Sequence, residues 1–417
     1  MNKKKILILG GINFACEIVD EAHKMGLEVF VTDYNQNSPA KEIADKSFLI
    51  SATDVEAIVK LIRQEHIDGV IFGYADVLMS SYVAVCEKAG LPCYTTEKQN
   101  QLTLDKRFFK QKCQQYGIPI VNEYSYESVV SEHSTYPIIV KPIDNSGARG
   151  IAICHNRAEF EKGYAEALEE SRSKQVLIEQ YITDVEATAF YYIHKKNVYL
   201  LGITDRLMLQ YDKNKLPLPV GYIFPSCHYI ACQEEVEHLI PTMFNGEGMQ
   251  EGFVFVQGFM QNTHFVPYEM GYRLTASMEN HAYEHLYGFN HMKALLRFAI
   301  GENIAEDECL KINPNVGYAA NVTLLLKKGI IAEYEGLDTI KNWPFILHFF
   351  VSYPIGFEIT DKQYGRLSQA GIRVVLCADT KCQLIERMER VKDTIRVIDT
   401  KGKDMVWRNY HYSNLIK

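Results

Sequence analysis

The sequence lacks several features that would assign it to common classes of protein. No apolar run approaches the roughly 18 residues of a membrane-spanning helix, so we expect no membrane partner. The formal net charge is −8, which excludes a broad basic surface for nucleic acid. Internal repeats and low-complexity linkers are also missing. The composition, with 47% hydrophobic and 23% charged residues, is that of an ordinary globular protein.

Paired cysteines and a secretion signal are missing too. The 10 cysteines are scattered and include no CxxC pair, so we expect reduced thiols rather than a zinc site or disulfides. The chain starts with basic residues like a signal peptide. However, only about four apolar residues follow before Gly10, fewer than the 7–15 or so that such a signal has. This segment is therefore predicted to be the first strand of a cytoplasmic domain.

The 417 residues suffice for about two to four domains. Short apolar strands alternate with segments of helical spacing over residues 1–95, which predicts an open parallel α/β sheet with its last strand beginning at residues 91–93. A polar helix is predicted over residues 103–115, and the block that follows it has an α+β pattern. From residue 316 the pattern is again short strands, with a helix near residues 382–391.

The N-terminal turn leaves a dinucleotide-binding domain open as an alternative. Gly10 and Gly11 follow the first strand, and Asp33 lies at the distance of a ribose-binding acid. The third glycine position of the dinucleotide-binding pattern is not a glycine. We expect instead that this turn and the loop at residues 73–76 face a substrate at the carboxyl ends of the strands.

The most informative stretch is residues 136–151, where an apolar strand carries Lys141 and leads into a turn of small residues at 144–150. A lysine inside an apolar strand is costly unless an anion neutralises it. Backbone N–H groups of a small-residue turn can surround phosphate oxygens. A surface hairpin with a snorkelling lysine would give the same pattern, so the stretch alone leaves both readings open.

Several further segments occur in register with this one: residues 103–106, 176–182, 253–257 and 267–273. In this order they resemble the ATP-grasp superfamily of carboxylate–amine ligases, especially its carbamoyl-phosphate-synthase-like and L-amino-acid-ligase-like members. The resemblance implies an α/β and α+β multidomain chain with the ATP-grasp fold. Its expected parts are an N-terminal parallel-sheet (pre-ATP-grasp) domain (1–95), lobe A with a phosphate flap (96–178), lobe B with the metal and substrate site (179–315), and a small C-terminal α+β domain (316–417).

The resemblance also implies a set of nucleotide-binding residues. Lys106 and Lys141 would contact phosphates, and the hinge at residues 176–182 would present backbone groups to adenine. Glu186 would accept hydrogen bonds from the ribose hydroxyls, because a carboxylate can accept two at once. The full predicted set is Lys106, Lys141, Ser146, Gly147, Ala148, Gly150, Glu179, Gln180, Tyr181, Ile182 and Glu186.

Metal-binding and catalytic roles follow from the same resemblance. Mg²⁺ or Mn²⁺ prefers oxygen ligands, and Glu269 and Gln257 are the predicted ligands. Gly271 stands where many members have a metal-binding asparagine, which puts a second metal in doubt. Arg273, together with Lys141, is predicted to stabilise the transferring phosphoryl group. Glu269 paired with Arg273 as a buried ion pair is the alternative, and Arg206 is a further candidate for contact with substrate or phosphate.

The implied reaction is ATP-dependent activation of a small carboxylate as an acyl phosphate, which an amine then attacks. Two alternatives stay open: an enzyme forming carboxyphosphate, like biotin carboxylase or one half of a carbamoyl-phosphate synthase, and a nucleotide-binding protein with a degenerate site. The expected partners are small-molecule acids and amines, and the resemblance suggests a homodimer. The H-x-x-E-H pattern from His281 to His285 matches a zinc-peptidase motif, but we interpret the two as surface or core histidines, with contact with the substrate as the alternative.

Overall fold

The computed structural model describes residues 3–131, 136–144, 149–211, 216–304 and 317–416. Within these ranges, no helix has the length and apolar character needed to cross a membrane.

The N-terminal unit is a four-stranded sheet whose strands are all parallel, in the order β3-β2-β1-β4. The strands β1, β2 and β4 are largely apolar and buried, as expected for a parallel sheet covered by helices, whereas the edge strand β3 is more exposed. This confirms the predicted open α/β sheet. Its elements are β1 (Lys5–Leu9), α1 (Ala15–Lys24), β2 (Glu28–Thr32), α2 (Pro39–Ile43), β3 (Lys46–Phe48), α3 (Val55–Glu65), β4 (Gly69–Phe72) and α4 (Met79–Ala89).

Two details of this unit differ from expectation. The strand predicted at residues 91–93 is wrong: the segment is outside any sheet, and Pro92 has no N–H to donate to a ladder. Asp33 accepts hydrogen bonds from the backbone N–H groups of Gly11 (2.7 Å) and Asn35 (2.7 Å). Its carboxylate therefore holds the turn after β1, which contradicts the ribose-binding role of the dinucleotide alternative.

The next unit is a three-stranded antiparallel sheet, in the order β6-β5-β7, with helices packed on it. Its elements are α5 (Glu97–Leu104), α6 (Lys106–Gln115), α7 (Tyr126–Val130), β5 (Ile138–Pro142), β6 (Ala152–Cys154), α8 (Arg157–Glu170) and β7 (Val176–Gln180). The helix predicted over residues 103–115 is confirmed for Lys106–Gln115, but its predicted start is wrong, because Asp105 interrupts the helix and separates α5 from α6. The Asp105 carboxylate accepts from the N–H groups of Arg107 and Phe108 and so starts α6 as its N-cap.

A large sheet of eight strands forms the centre of the molecule, in the order β12-β11-β8-β9-β10-β13-β17-β15. Strands β8 and β9 form one antiparallel hairpin, and β11 and β12 form another. The first part of this sheet and its helices are β8 (Val185–His194), β9 (Asn197–Leu209), β10 (Leu218–Phe224), α9 (Ile240–Gly246), β11 (Glu251–Gln261), β12 (His264–Gly271), α10 (Glu279–Tyr287) and α11 (His291–Ala299).

The C-terminal segment completes the large sheet instead of forming a separate layer. Strand β13 pairs with β10 across the predicted domain boundary at residues 315/316, so this boundary does not separate two sheets. A small sheet, β16-β14-β18, lies beside it. The elements are β13 (Tyr318–Leu325), β14 (Gly329–Glu335), α12 (Leu337–Lys341), β15 (Ile346–Val351), β16 (Glu358–Ile359), β17 (Ala370–Ala378), α13 (Lys381–Thr394), β18 (Arg396–Asp399) and α14 (Tyr412–Leu415).

Candidate functional site

A cavity of about 630 Å³ lies between the β6-β5-β7 sheet and the β9, β11 and β12 strands of the large sheet. Its volume is in the range of small-molecule sites. Apolar side chains line much of it, and the linker 179–186 between the two sheets forms one wall. The predicted residues that line it are Lys106, Lys141, Glu179, Gln180, Tyr181, Ile182, Glu186, Arg206, Gln257 and Glu269.

Two buried lysines enter this cavity from different elements, and each already has an acidic partner. Lys106, the first residue of α6, lies 3.3 Å from the Glu269 carboxylate. Lys141, on β5, lies 2.6 Å from the Glu179 carboxylate. Each buried lysine faces a carboxylate, and this ion pairing offsets the free-energy cost of burying the charge.

Lys110 is a residue that the sequence analysis missed. It lies one helical turn after Lys106, is buried, and donates to the second oxygen of Glu179 at 2.6 Å. Burial alone would raise the pKa of Glu179, but the charges of Lys141 and Lys110 outweigh it and lower that pKa. The i, i+4 spacing of Lys106 and Lys110 places both on one helix face and could have indicated the pair.

The predicted metal ligands lie opposite each other on neighbouring strands. Gln257 of β11 pairs in register with Glu269 of β12, and both line the cavity. Directly opposed residues have Cβ atoms about 5 Å apart, so an amide oxygen and a carboxylate can reach one ion. This donor set fits Mg²⁺, which prefers oxygen. At Gly271 an added Cβ would lie 2.2 Å from the Phe255 ring, so an asparagine there would require that ring to move.

The hinge has fewer unused backbone donors than predicted. The N–H of Gln180 donates to the Asn122 carbonyl (3.0 Å), and that of Tyr181 donates to the Pro137 carbonyl (3.2 Å). Both amides therefore fix the hinge to the β6-β5-β7 unit. Ile182 also lines the cavity, and its contact with an adenine ring stays a prediction.

Glu186 has partners that the sequence did not indicate. Its carboxylate accepts from the Arg206 guanidinium (2.6 Å) and from the Tyr268 hydroxyl (3.0 Å). Arg206 also donates to Tyr268 at 2.6 Å. The three side chains form one network at the wall of the cavity, so contact of Glu186 with a ribose stays a prediction.

Of the remaining predicted residues that the structure describes, Arg273 and Gly150 do not line the cavity. Arg273 forms a two-pronged ion pair with Asp76, including a bond of 2.9 Å from its Nη2, and lies over the Phe255 ring. Neither the Glu269–Arg273 pair nor contact of Arg273 with the cavity is observed. Gly150 has a φ of +69° and packs against Glu170 and Pro142. Ser146, Gly147 and Ala148 lie outside the described residues.

The H-x-x-E-H pattern does not form a zinc-peptidase centre. His285 is exposed, and Glu284 accepts from the side-chain amide of Asn290 at 3.1 Å. His281 points to another part of the fold, where it lies 3.2 Å from Glu17 of α1. The two histidines therefore do not converge.

Comparison with known proteins identifies related sequences. Residues 105–193 match the model of the carbamoyl-phosphate synthase L chain, ATP binding domain. Formate-dependent phosphoribosylglycinamide formyltransferase of Bacillus subtilis is 25% identical over 187 residues, which cover 43% of this chain and 48% of the relative. The enzyme of the same name from Methanocaldococcus jannaschii is 26% identical over 193 residues, covering 44% and 49%. The chain thus spans about half the length of these curated relatives.

Solved structures resemble the whole chain at low sequence identity. L-amino acid ligase from Bacillus licheniformis has a TM-score of 0.76 and 17% identity, covering 96% of this chain and 99% of that chain. Phosphoribosylglycinamide synthetase from Anaerococcus prevotii has a TM-score of 0.74 and 17% identity, covering 96% and 100%. Biotin carboxylase from Campylobacter jejuni has a TM-score of 0.73 and 18% identity, covering 100% and 96%. These findings confirm the resemblance inferred from the motifs: the chain has the ATP-grasp fold, and its residues 105–193 match a known ATP-binding domain.

Proposed function

We propose that the protein is an ATP- and Mg²⁺-dependent ligase that joins a small carboxylic acid to an amine. The observation that carries this proposal is the convergence of Lys106, Lys141, Gln257 and Glu269 on one cavity. These residues come from α6, β5, β11 and β12. Two cations and two oxygen donors in a cavity with an apolar wall match the charges and the base of a nucleoside triphosphate.

The proposed reaction has two steps. A carboxylate oxygen forms a bond to the γ-phosphorus of ATP while the bond from that phosphorus to ADP breaks, giving an acyl phosphate. The amine nitrogen then bonds to the acyl carbon, the carbon–oxygen bond to phosphate breaks, and the nitrogen loses a proton. Lys106 and Lys141 offset phosphate charge, and Gln257 and Glu269 would hold the Mg²⁺. When bound, this ion neutralises charge on the phosphates.

The relatives support a small acid as the first substrate. Those named above are formate-dependent formyltransferases, and one fold neighbour is an L-amino acid ligase. Formate and amino acids are therefore the first acids to test.

We further infer that the protein acts in the cytoplasm and that it forms a homodimer. Light scattering tests the homodimer: it should give twice the monomer mass, and the monomer mass would contradict the homodimer.

The test is a panel of acids and amines incubated with the protein, ATP and Mg²⁺, with release of ADP and phosphate as the measurement. We expect turnover that requires both an acid and an amine. Turnover with bicarbonate alone would favour the carboxyphosphate-forming alternative. ATP binding without turnover on any acid–amine pair would favour a degenerate site and contradict the proposal.

Replacement of Glu269 is the corresponding test of the metal assignment. Glu269→Ala should lower turnover by at least about 100-fold, because a metal ion supplies several kcal/mol of charge stabilisation. The control is Glu166→Ala on α8, where the side chain is 61% exposed and remote from the cavity lining. If Glu269→Ala turned over as fast as this control, the metal assignment would be wrong.

A further inference from the structure

Outside the cavity, the described residues include a cluster of two histidines and one carboxylate that the proposed reaction does not use. Glu17 lies in the first turn of α1, His281 on α10 and His348 on β15. Each side chain offers one ligand atom, and these atoms all lie within 4.8 Å of one another. The N-terminal unit, the α10 segment and the C-terminal segment thus each contribute one residue.

The geometry of the cluster is that of a ligand set around one point. His281 Nε2 lies 3.2 Å from Glu17 Oε2, and His348 Nε2 lies 3.0 Å from that oxygen and also 3.0 Å from Oε1. The two imidazole rings stack with centroids 4.0 Å apart and planes inclined by 16°. Ligands at about 2.0–2.2 Å from a tetrahedral zinc ion are about 3.3 Å from each other, close to the distances from each histidine nitrogen to the Glu17 carboxylate.

The three side chains are mostly, but not completely, buried. The side chains of Glu17 and His281 are 12% and 14% exposed, and that of His348 is 28% exposed. A set of two imidazole nitrogens and one carboxylate oxygen suits borderline metals such as zinc rather than Mg²⁺, which prefers oxygen alone. His348 is the most exposed of the three side chains and therefore lies on the solvent side of the cluster.

We propose that Glu17, His281 and His348 bind one Zn²⁺ ion, and that this ion fastens the N-terminal unit to the large sheet. The site is distinct from the cavity assigned to ATP and Mg²⁺, since none of its three residues lines that cavity. Removing the ion should therefore loosen the junction between the two units and leave the nucleotide cavity assembled.

The test is titration of the full-length, metal-stripped protein with Zn²⁺, followed by calorimetry. We expect one zinc ion per chain, a rise in melting temperature when zinc binds, and no binding of Mg²⁺ by these residues. His281→Ala and His348→Ala should weaken zinc binding by at least about 10-fold, the factor by which even indirect partners of a metal change affinity. Glu17→Gln keeps a hydrogen-bond acceptor but removes the charge, and it should weaken binding while the circular dichroism spectrum stays unchanged.

Two matched controls make the result specific. His285→Ala removes an exposed histidine from the same helix and should bind zinc like the unsubstituted protein. Cys227→Ser removes the thiol from a second group, Asp205, Cys227 and His228, whose potential ligand atoms also lie close together. If zinc binding were lost in Cys227→Ser and kept in His348→Ala, or if the protein bound no zinc at all, the proposal would be overturned.

Discussion

Glu179 is the residue on which the charge balance of the cavity depends most directly. Its carboxylate is 3% exposed and accepts from Lys110 and Lys141 at 2.6 Å each. Glu179→Gln would leave two buried ammonium groups facing an uncharged amide. We expect the free energy of unfolding at pH 7 to fall by about 3–5 kcal/mol, the cost of breaking a buried ion pair. Urea denaturation measures this loss.

The pH dependence of the free energy of unfolding of Glu179→Gln checks that the stabilisation comes from the charge of the Glu179 carboxylate. The pKa of Glu179 is lower in the folded protein than in the unfolded chain. The carboxylate therefore stabilises the fold fully above its unfolded pKa of about 4.3, and this contribution is lost as the pH falls through the folded value. The stability difference between the two proteins should shrink in acid. Glu123→Gln, at a carboxylate that is 34% exposed and 3.5 Å from Lys110, is the control and should cost less than about 1 kcal/mol. Equal losses in both variants would refute the argument.

At the scale of elements, the start of α6 decides where Lys106 lies. The N-cap Asp105 accepts from the N–H groups of Arg107 (2.8 Å) and Phe108 (3.0 Å), and the backbone N–H of Lys106 donates to Ile143 (3.2 Å). Asp105→Ala should lower stability by about 1 kcal/mol and weaken ATP binding, because Lys106 would lose its fixed position. Isothermal titration with ATP measures the second effect.

The matched control is Ser125→Ala, at the N-cap of α7. The Ser125 hydroxyl accepts from the N–H of Ser128 at 3.1 Å, and neither residue lines the cavity. This variant should show a similar loss of stability with unchanged affinity for ATP. The interpretation of Lys106 as a phosphate ligand would be wrong if both variants bound ATP equally well.

At the scale of the whole molecule, Arg273 and Asp76 connect β12 of the large sheet to the loop after β4 of the N-terminal unit. Both side chains are about 15% exposed, and Arg273 also stacks over Phe255. A double-mutant cycle with Arg273→Ala and Asp76→Ala should therefore give a coupling energy of about 1–3 kcal/mol in unfolding experiments. Additive single effects would mean that the pair does not stabilise the junction.

The same cycle tests the catalytic role of Arg273, which stays a prediction. If Arg273 serves only the junction, then Arg273→Ala and Asp76→Ala should lower turnover to the same extent. A turnover loss in Arg273→Ala that exceeds the loss in Asp76→Ala by 10-fold or more would support direct action on the phosphoryl group.

Much of the local structure was readable from the sequence, because buried strands and turns have short-range signals. The apolar runs predicted β1 and the strand β5 that carries Lys141. The predicted start of the helix over residues 103–115 was wrong because residues 97–115 have no obvious interruption in helical spacing, although Asp105 is a typical N-cap residue. The predicted strand at residues 91–93 was wrong because an apolar run alone does not supply a pairing partner.

The sequence by itself determined which charged residues had to find partners, since a lysine or glutamate on an apolar strand must be neutralised wherever the strand packs. Lys141 was identified in this way, whereas Glu269 was identified from the family resemblance. Only the tertiary structure decided the partners: Glu179 bridges Lys110 and Lys141, Glu186 holds Arg206, and Asp76 binds Arg273. It also decided that β13 continues the large sheet across residue 316. These contacts join residues as far apart in sequence as Asp76 and Arg273, which are 197 positions apart. A local sequence pattern cannot indicate them, because the packing of distant elements brings the residues together.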